Sequence, residues 1–126
     1  MILLRLSALV LGAGFQMQPQ TAPAPPPTSV TEVMAMTSLK PEVAVPDVMK
    51  LVREEVRVAV QLYLDGKIER LYTRSDGKGA VLILRCKTAD EAKEILAGLP
   101  MVKAGYLNVE YIPLGPFSGL RVLIKP

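Results

Sequence analysis

GKIERLYTRSDGKGAVLILRCKTADEAKEILAGLPMVKAGYLNVEYIPLGPF, residues 66–117, decides the fold. Two runs rich in β-branched and aromatic residues, Ile68–Arg74 and Ala80–Cys86, flank Asp76-Gly77-Lys78-Gly79. Glycine reaches positive φ without a Cβ clash, so this pattern predicts a β-hairpin. Thr88-Ala89-Asp90-Glu91 then has the spacing in which a hydroxyl caps one free helix N–H and a carboxylate reaches back to another. A helix is therefore expected from Thr88. Ala92, Ile95, Leu96 and Leu99 supply its apolar face, and Gly98-Leu99-Pro100 its stop. Leu107–Leu114 reads as a further strand.

Upstream, Val30–Leu39 alternates loosely and is rich in Val, Thr and Met, which predicts a first strand ending at Lys40-Pro41. Val45-Pro46-Asp47 opens a long helix to about Leu64, with proline preset for the first turn and Asp47 at the positive end of the helix dipole. Met49, Val52, Val56, Ala59, Val60 and Tyr63 form its stripe, and Leu51, Val58 and Leu62 widen it. Lys50, Glu54, Arg57 and Gln61 occupy the opposite side. An arc this wide exceeds what one small sheet needs, so part of it is available to another subunit.

The order β–α–β–β–α–β is the split arrangement of an α+β, ferredoxin-like fold: an antiparallel four-stranded sheet with two helices on one face. Val81, Ile83 and Ile112 fall on one side of their strands, and Leu82, Leu84, Val109 and Tyr111 on the other. Both faces are apolar. The face without helices therefore calls for a partner, and the expectation is at least a homodimer with facing sheets.

The 126 residues allow one domain and little more. Residues 1–14 read as a secretory signal: Arg5 precedes an apolar run shorter than the roughly twenty residues a membrane-spanning helix requires, followed by Gly12-Ala13-Gly14. Ala22-Pro23-Ala24 is the alternative cleavage site. Residues 15–29 form a Pro-rich spacer, 30–117 the folded domain, and 118–126 a tail in which Leu120, Val122 and Ile124 alternate as in an extra strand. The expected location is periplasmic or secreted, with no stable membrane span in the mature form.

Fifteen basic and twelve acidic residues give a net charge of +3 but are interspersed, which disfavours nucleic-acid binding. The chain contains no histidine. His-based triads, His-ligated zinc or haem, and a histidine general base are thereby excluded, leaving carboxylates, Lys, Arg, Tyr and backbone groups. No acidic pair has metal-ligand spacing. The single cysteine, Cys86, reads as a small buried hydrophobe.

The pattern DGKIERLYTR…GAVLILRCKTADEAKEILAGLPM…YLNVEYIPL resembles the muconolactone Δ-isomerase family of the dimeric α/β-barrel superfamily, with the resemblance running over roughly Val30–Phe117. It rests most on the aromatic and basic second strand, the Leu99-Pro100 helix stop and the strand end Val109–Leu114. The resemblance implies small subunits that assemble through their sheets, and an enzyme that shifts a double bond in a lactone without a metal or organic cofactor. A haem-degrading relative in the same superfamily is disfavoured by the missing histidine.

Such chemistry needs a base beside a carbonyl, an acid to return the proton and a positive group for the anion. If Val81 and Ile83 face the inter-sheet cavity, Arg85 points with them. Glu110 and Asn108 share a side with Ile112, and Arg70, Tyr72 and Arg74 share a side of the second strand. This gives Glu110 as proton carrier, Tyr72 as hydrogen-bond donor, Arg70, Arg74 or Arg85 as anion holder, and Asn108 beside the substrate. For each charged residue a structural ion pair is the competing reading. The functional expectation is a cofactor-free isomerase acting on a small anionic cyclic or lactone substrate. The alternative is a non-catalytic small-molecule-binding or oligomerisation module.

Overall fold

The computed structural model describes residues 29–124. The expected signal segment and the spacer up to residue 28 lie outside the described residues, as do 125 and 126. The elements are β1 (Glu32–Leu39), α1 (Val45–Leu64), β2 (Ile68–Thr73), β3 (Ala80–Leu84), α2 (Ala89–Leu96), α3 (Pro100–Lys103), β4 (Leu107–Leu114) and α4 (Leu120–Ile124). The four strands form one antiparallel sheet in the order β2-β3-β1-β4, the ferredoxin-like topology. Among the described residues, no helix is long and apolar enough to cross a membrane.

Strand β1 sets the two faces. Val33, Ala35 and Thr37 are buried beneath the helices, while Met34 and Met36 are half-buried on the opposite face. Pairing carries that division across the sheet. Met34 lies between Ile83 and Ile112, and Met36 between Val81 and Glu110. On the helix side, Leu82, Leu84 and Ile68 join Ala92 and Leu96 of α2 in the core, with Val58, Ala59 and Leu62 of α1 packed against it. Ile68, Leu84, Leu96 and Val33 are the largest fully buried side chains, and each contributes about 1.5–3 kcal/mol of hydrophobic stabilisation.

The register of β2 slips between Ile68 and Arg70, leaving Glu69 as the extra residue. Without this bulge Ile68 and Arg70, two apart, would share a face. With it, Ile68 is buried in the core opposite Leu84 while Arg70 pairs with Ile83 on the open face.

Helix α1 differs from the expected stripe. Leu51, Val52, Val58, Ala59 and Leu62 turn inward and are half-buried, but Met49, Val56, Val60 and Tyr63 are exposed, at 65%, 55%, 42% and 49%. The widening positions Leu51, Val58 and Leu62 therefore carry the packing together with Val52 and Ala59 of the stripe. Helix α2 starts as expected, with the Thr88 hydroxyl accepting the Glu91 N–H at 3.1 Å. The Glu91 carboxylate accepts the Lys87 N–H, at 3.4 Å, rather than that of Thr88. Beyond the Gly98-Leu99-Pro100 stop the chain makes one more turn, α3, with Pro100 at its start.

The tail, expected as an extra strand or an unpaired tail, forms the short helix α4 over Leu120–Ile124 in place of a strand. Local bonds explain the difference. The N–H groups of Arg121 and Val122 reach the carbonyls of Ser118 and Gly119 at 3.1 and 3.2 Å, whereas an isolated strand offers no partner within its own segment.

In the β2–β3 hairpin, Gly77 has φ +71°, and the Asp76 carboxylate accepts the Lys78 N–H at 2.9 Å. Gly79 is required for a different reason, because a Cβ there would run into the Thr37 carbonyl. Gly79→Ala is expected to destabilise the fold by about 1–3 kcal/mol through this overpacking. Gly98→Ala, where a Cβ meets nothing within 4 Å, is expected to leave the unfolding midpoint essentially unchanged. Urea unfolding of the two variants side by side measures the difference.

Candidate active site

Helix α1 does not close flat on the sheet. Between it, the β2 edge and the loop into α3 lies a cavity of about 280 Å³. Its walls are mostly apolar: Val56, Ala59 and Val60 from α1, Leu71 from β2, Leu82 from β3, and Leu99 and Leu107 at the end. Four lining residues carry polar side chains, Thr37, Glu55, Tyr72 and Thr73.

Glu55 is the chemically informative one. It is half-buried, and its Oε2 accepts the Met101 N–H at 2.8 Å, which ties α1 to α3. Among the described residues no protein donor meets its Oε1. Burial pushes the carboxyl above its ordinary 4.5, and the Met101 N–H opposes that rise by favouring the ionised form. Thr37 is internally satisfied: its hydroxyl accepts the Ala80 N–H at 2.9 Å and donates to the Ala80 carbonyl at 3.3 Å. Thr73 follows Leu71 at a two-residue step on the same face of β2, and among the described residues its hydroxyl has no side-chain bond. It is a free donor at the rim.

The six residues singled out from the sequence are distributed otherwise. Arg70, Tyr72, Asn108 and Glu110 share the open face, in rows with Ile83, Val81, Ser38 and Met36. Arg85 continues the Val81 and Ile83 side of the chain. Arg70 donates to the Tyr72 hydroxyl at 3.4 Å, leaving the phenolic proton free. Arg74 is committed: its guanidinium donates to the Thr37 carbonyl at 3.2 Å and to the Asp76 carboxylate at 2.6 Å. The Lys78 N–H and then Arg74 hold the Asp76 carboxyl below its usual range. Glu110 and Asn108 are exposed. Of the six, only Tyr72 also borders the Glu55 cavity, where the sheet edge brings the two faces together.

A second depression, about 340 Å³, lies on the open face between Glu32, Glu69, Arg70, Tyr72, Ile83 and Leu114. A hydrogen bond with Glu69 is the main cause that raises the Glu32 carboxyl. Cys86 is buried with its thiol pushed up by burial, in keeping with a packing role. Among the described residues, no group of three acidic, cysteine or histidine side chains is placed to hold a metal ion.

The family model described as Muconolactone delta-isomerase matches residues 32–118. The chain belongs to that family. The match spans all four strands and ends just before α4. No curated protein matches the chain closely enough to add an individual relative. Within this isomerase-family fold the sequence reading missed Glu55, although a signal was present. Glu55 lies four after Leu51, three after Val52, three before Val58 and four before Ala59, on the line of the inward-facing residues. A carboxylate in that line is either paired or functional.

Because the folded Glu55 carboxyl titrates above its unfolded value, the native state holds more protons between the two. Wild-type stability is then fully supported below about 4.5 and declines as pH rises through the raised value. Glu55→Gln lacks this titration. The stability of the variant relative to wild type is expected to increase across that pH window and level off above it, as read from unfolding midpoints over a pH series.

Proposed function

We propose that this muconolactone isomerase-family protein is a cofactor-free isomerase that moves a double bond in a small cyclic carbonyl compound, with Glu55 as the proton carrier. The observation that carries the reading is a carboxylate with one oxygen fixed by a backbone N–H and the other without a protein donor among the described residues, set in a mostly apolar cavity. A base for carbon acids works best when its pKa lies near the working pH, and burial moves Glu55 in that direction. In an unsaturated lactone, the Glu55 carboxylate takes the proton on the carbon γ to the carbonyl. The C–H electrons move into the ring as the α,β double bond shifts, and the negative charge collects on the carbonyl oxygen. The Glu55 carboxylic acid then returns its proton to the α carbon, giving the β,γ-unsaturated lactone and restoring the carboxylate. Thr73 and Tyr72, on the cavity's β2 wall, are the donors available to the developing oxyanion.

The open sheet face supports a homo-oligomeric reading. Met34, Met36, Val81, Ile83, Ile112 and Leu114 are half-buried there in contiguous rows, with no helix over them among the described residues. Stacking two such faces gives the dimeric barrel, with Arg70, Arg85 and Glu110 between the sheets. Ile83→Lys is expected to shift the protein to a smaller species in light scattering, since it buries an unpaired charge in that interface.

Glu55→Gln is expected to lower the isomerisation rate about a hundredfold or more, measured as solvent-deuterium incorporation at the α carbon of a butenolide. Thr73→Val is expected to lower it less, because Tyr72 remains. An undiminished rate in Glu55→Gln removes Glu55 from the mechanism.

A further inference from the structure

We infer that Pro100 is a positioning residue for Glu55: by fixing where α3 begins, it aims the Met101 N–H at one oxygen of a carboxylate 46 residues away in the chain. As a statement about catalysis, this rests on the isomerase reading above. Leu99 and Pro100 stand between α2 and α3, and each does a separate part. Proline disfavours the helical region for the residue before it, and Leu99 is extended, with φ −69° and ψ 129°. The chain therefore leaves α2 and restarts in a new direction. Pro100 takes the first helical position, where its fixed φ suits a helix and no carbonyl waits for its missing N–H. The next N–H, that of Met101, is one of the helix-start donors that no carbonyl of the same turn can accept.

Such a donor is ordinarily taken by a Ser, Thr, Asp or Asn side chain at the preceding cap. Leu99 has no such group, and its side chain, 2% exposed, is a wall of the Glu55 cavity instead. The Lys103 and Ala104 N–H groups bond back to the Leu99 and Pro100 carbonyls at 3.0 and 2.9 Å, which holds the turn. The Met101 N–H takes a partner from outside it, Glu55 Oε2 at 2.8 Å. One bond thus sets the direction of the carboxylate in its mostly apolar surroundings. Direction matters to a proton carrier, because a displacement near 1 Å can lower a rate about a hundredfold. The bond also favours the ionised form, against the burial that raises the carboxyl. The other titratable and charged groups around it are Tyr72 of β2, which lines the cavity; Arg74, bonded to the carbonyl of the lining residue Thr37; Lys103, exposed at the end of α3; and Glu54 and Arg57, paired at the surface of α1.

Two full-length variants test this. The first replaces the Met101 N–H with an ester oxygen, made by ligating residues 1–85 to a synthetic 86–126 at Cys86; the second is Pro100→Ala. Wild type assembled by the same ligation is the reference. The readout is an NMR titration of the Glu55 side-chain carboxyl carbon, which needs no substrate. Loss of the N–H is expected to raise the Glu55 midpoint by about one pH unit. Pro100→Ala is expected to raise it by a smaller, resolved amount, since the turn is loosened and the donor is kept. A proline that serves stability alone lowers the urea midpoint and leaves the Glu55 titration at its wild-type position; that result in Pro100→Ala overturns the inference. An unmoved titration in the ester overturns it as well. Where the ester does not fold, the Pro100→Ala titration decides. Deuterium incorporation into a butenolide separates this inference from the isomerase reading. The expected result is a kcat about tenfold lower in the ester with KM essentially unchanged. Shifted titrations in a protein whose wild type exchanges no protons keep the positioning of Glu55 and remove the isomerase. Wild-type exchange with an unaltered kcat in the ester overturns the positioning and leaves the isomerase.

Discussion

The structure depends on the alternation of β1. This strand is paired along both edges, so it has no freedom to slip by one residue without moving Val33, Ala35 and Thr37 out of the core and Met34 and Met36 into it. The same alternation propagates to β3 and β4, and it gives a sheet with apolar residues on both sides. One side is closed by α1 and α2. The other carries the rows that the proposed assembly covers.

The cavity follows from how α1 is held. No residue of this twenty-residue helix is fully buried. Its contacts come from Val58, Ala59 and Leu62 against the core and from the Glu55 bond to the Met101 N–H of α3. Between these attachments Ala59 presents a short side chain toward β2 and β3, and Glu55 occupies an inward position with a group that cannot be packed dry. Space therefore remains beside the carboxylate. The hydrogen bond that anchors the helix also fixes the carboxylate proposed as the base, so a single contact links fold and candidate site.

The fold was legible because its signals are local. Asp76–Gly79, Thr88 and the two-residue alternation of Ala80–Leu84 each have a short-range physical cause, and each formed the element expected of it. The common side of Arg70 and Tyr72 follows from the same alternation, whereas Arg74 lies past the end of β2 and is bonded to the Thr37 carbonyl and Asp76. The tail was not, because alternation in Leu120–Ile124 does not say whether a neighbouring strand exists to pair with it. Glu55 was not recognised because its meaning is tertiary. On the helix alone it resembles the neighbouring Glu54, whose side chain pairs with Arg57 at the surface. Only the placement of β2, Leu99 and Met101 shows that one of two adjacent glutamates is half-enclosed.

That enclosure bears on which face of the sheet is suited to proton transfer. Glu110, on the open face, is exposed and shares its row with Met36 and Val81. An exposed carboxylate is surrounded by water, and that water must reorganise as its charge moves. Glu55 has a fixed N–H in place of part of that water and apolar walls around it. Its charge is costly enough to make it a stronger base, yet the Met101 bond keeps the ionised form accessible. A carboxylate of this kind needs no histidine partner to exchange a proton with a carbon acid, which gives a physical route to isomerase chemistry in a chain without histidine.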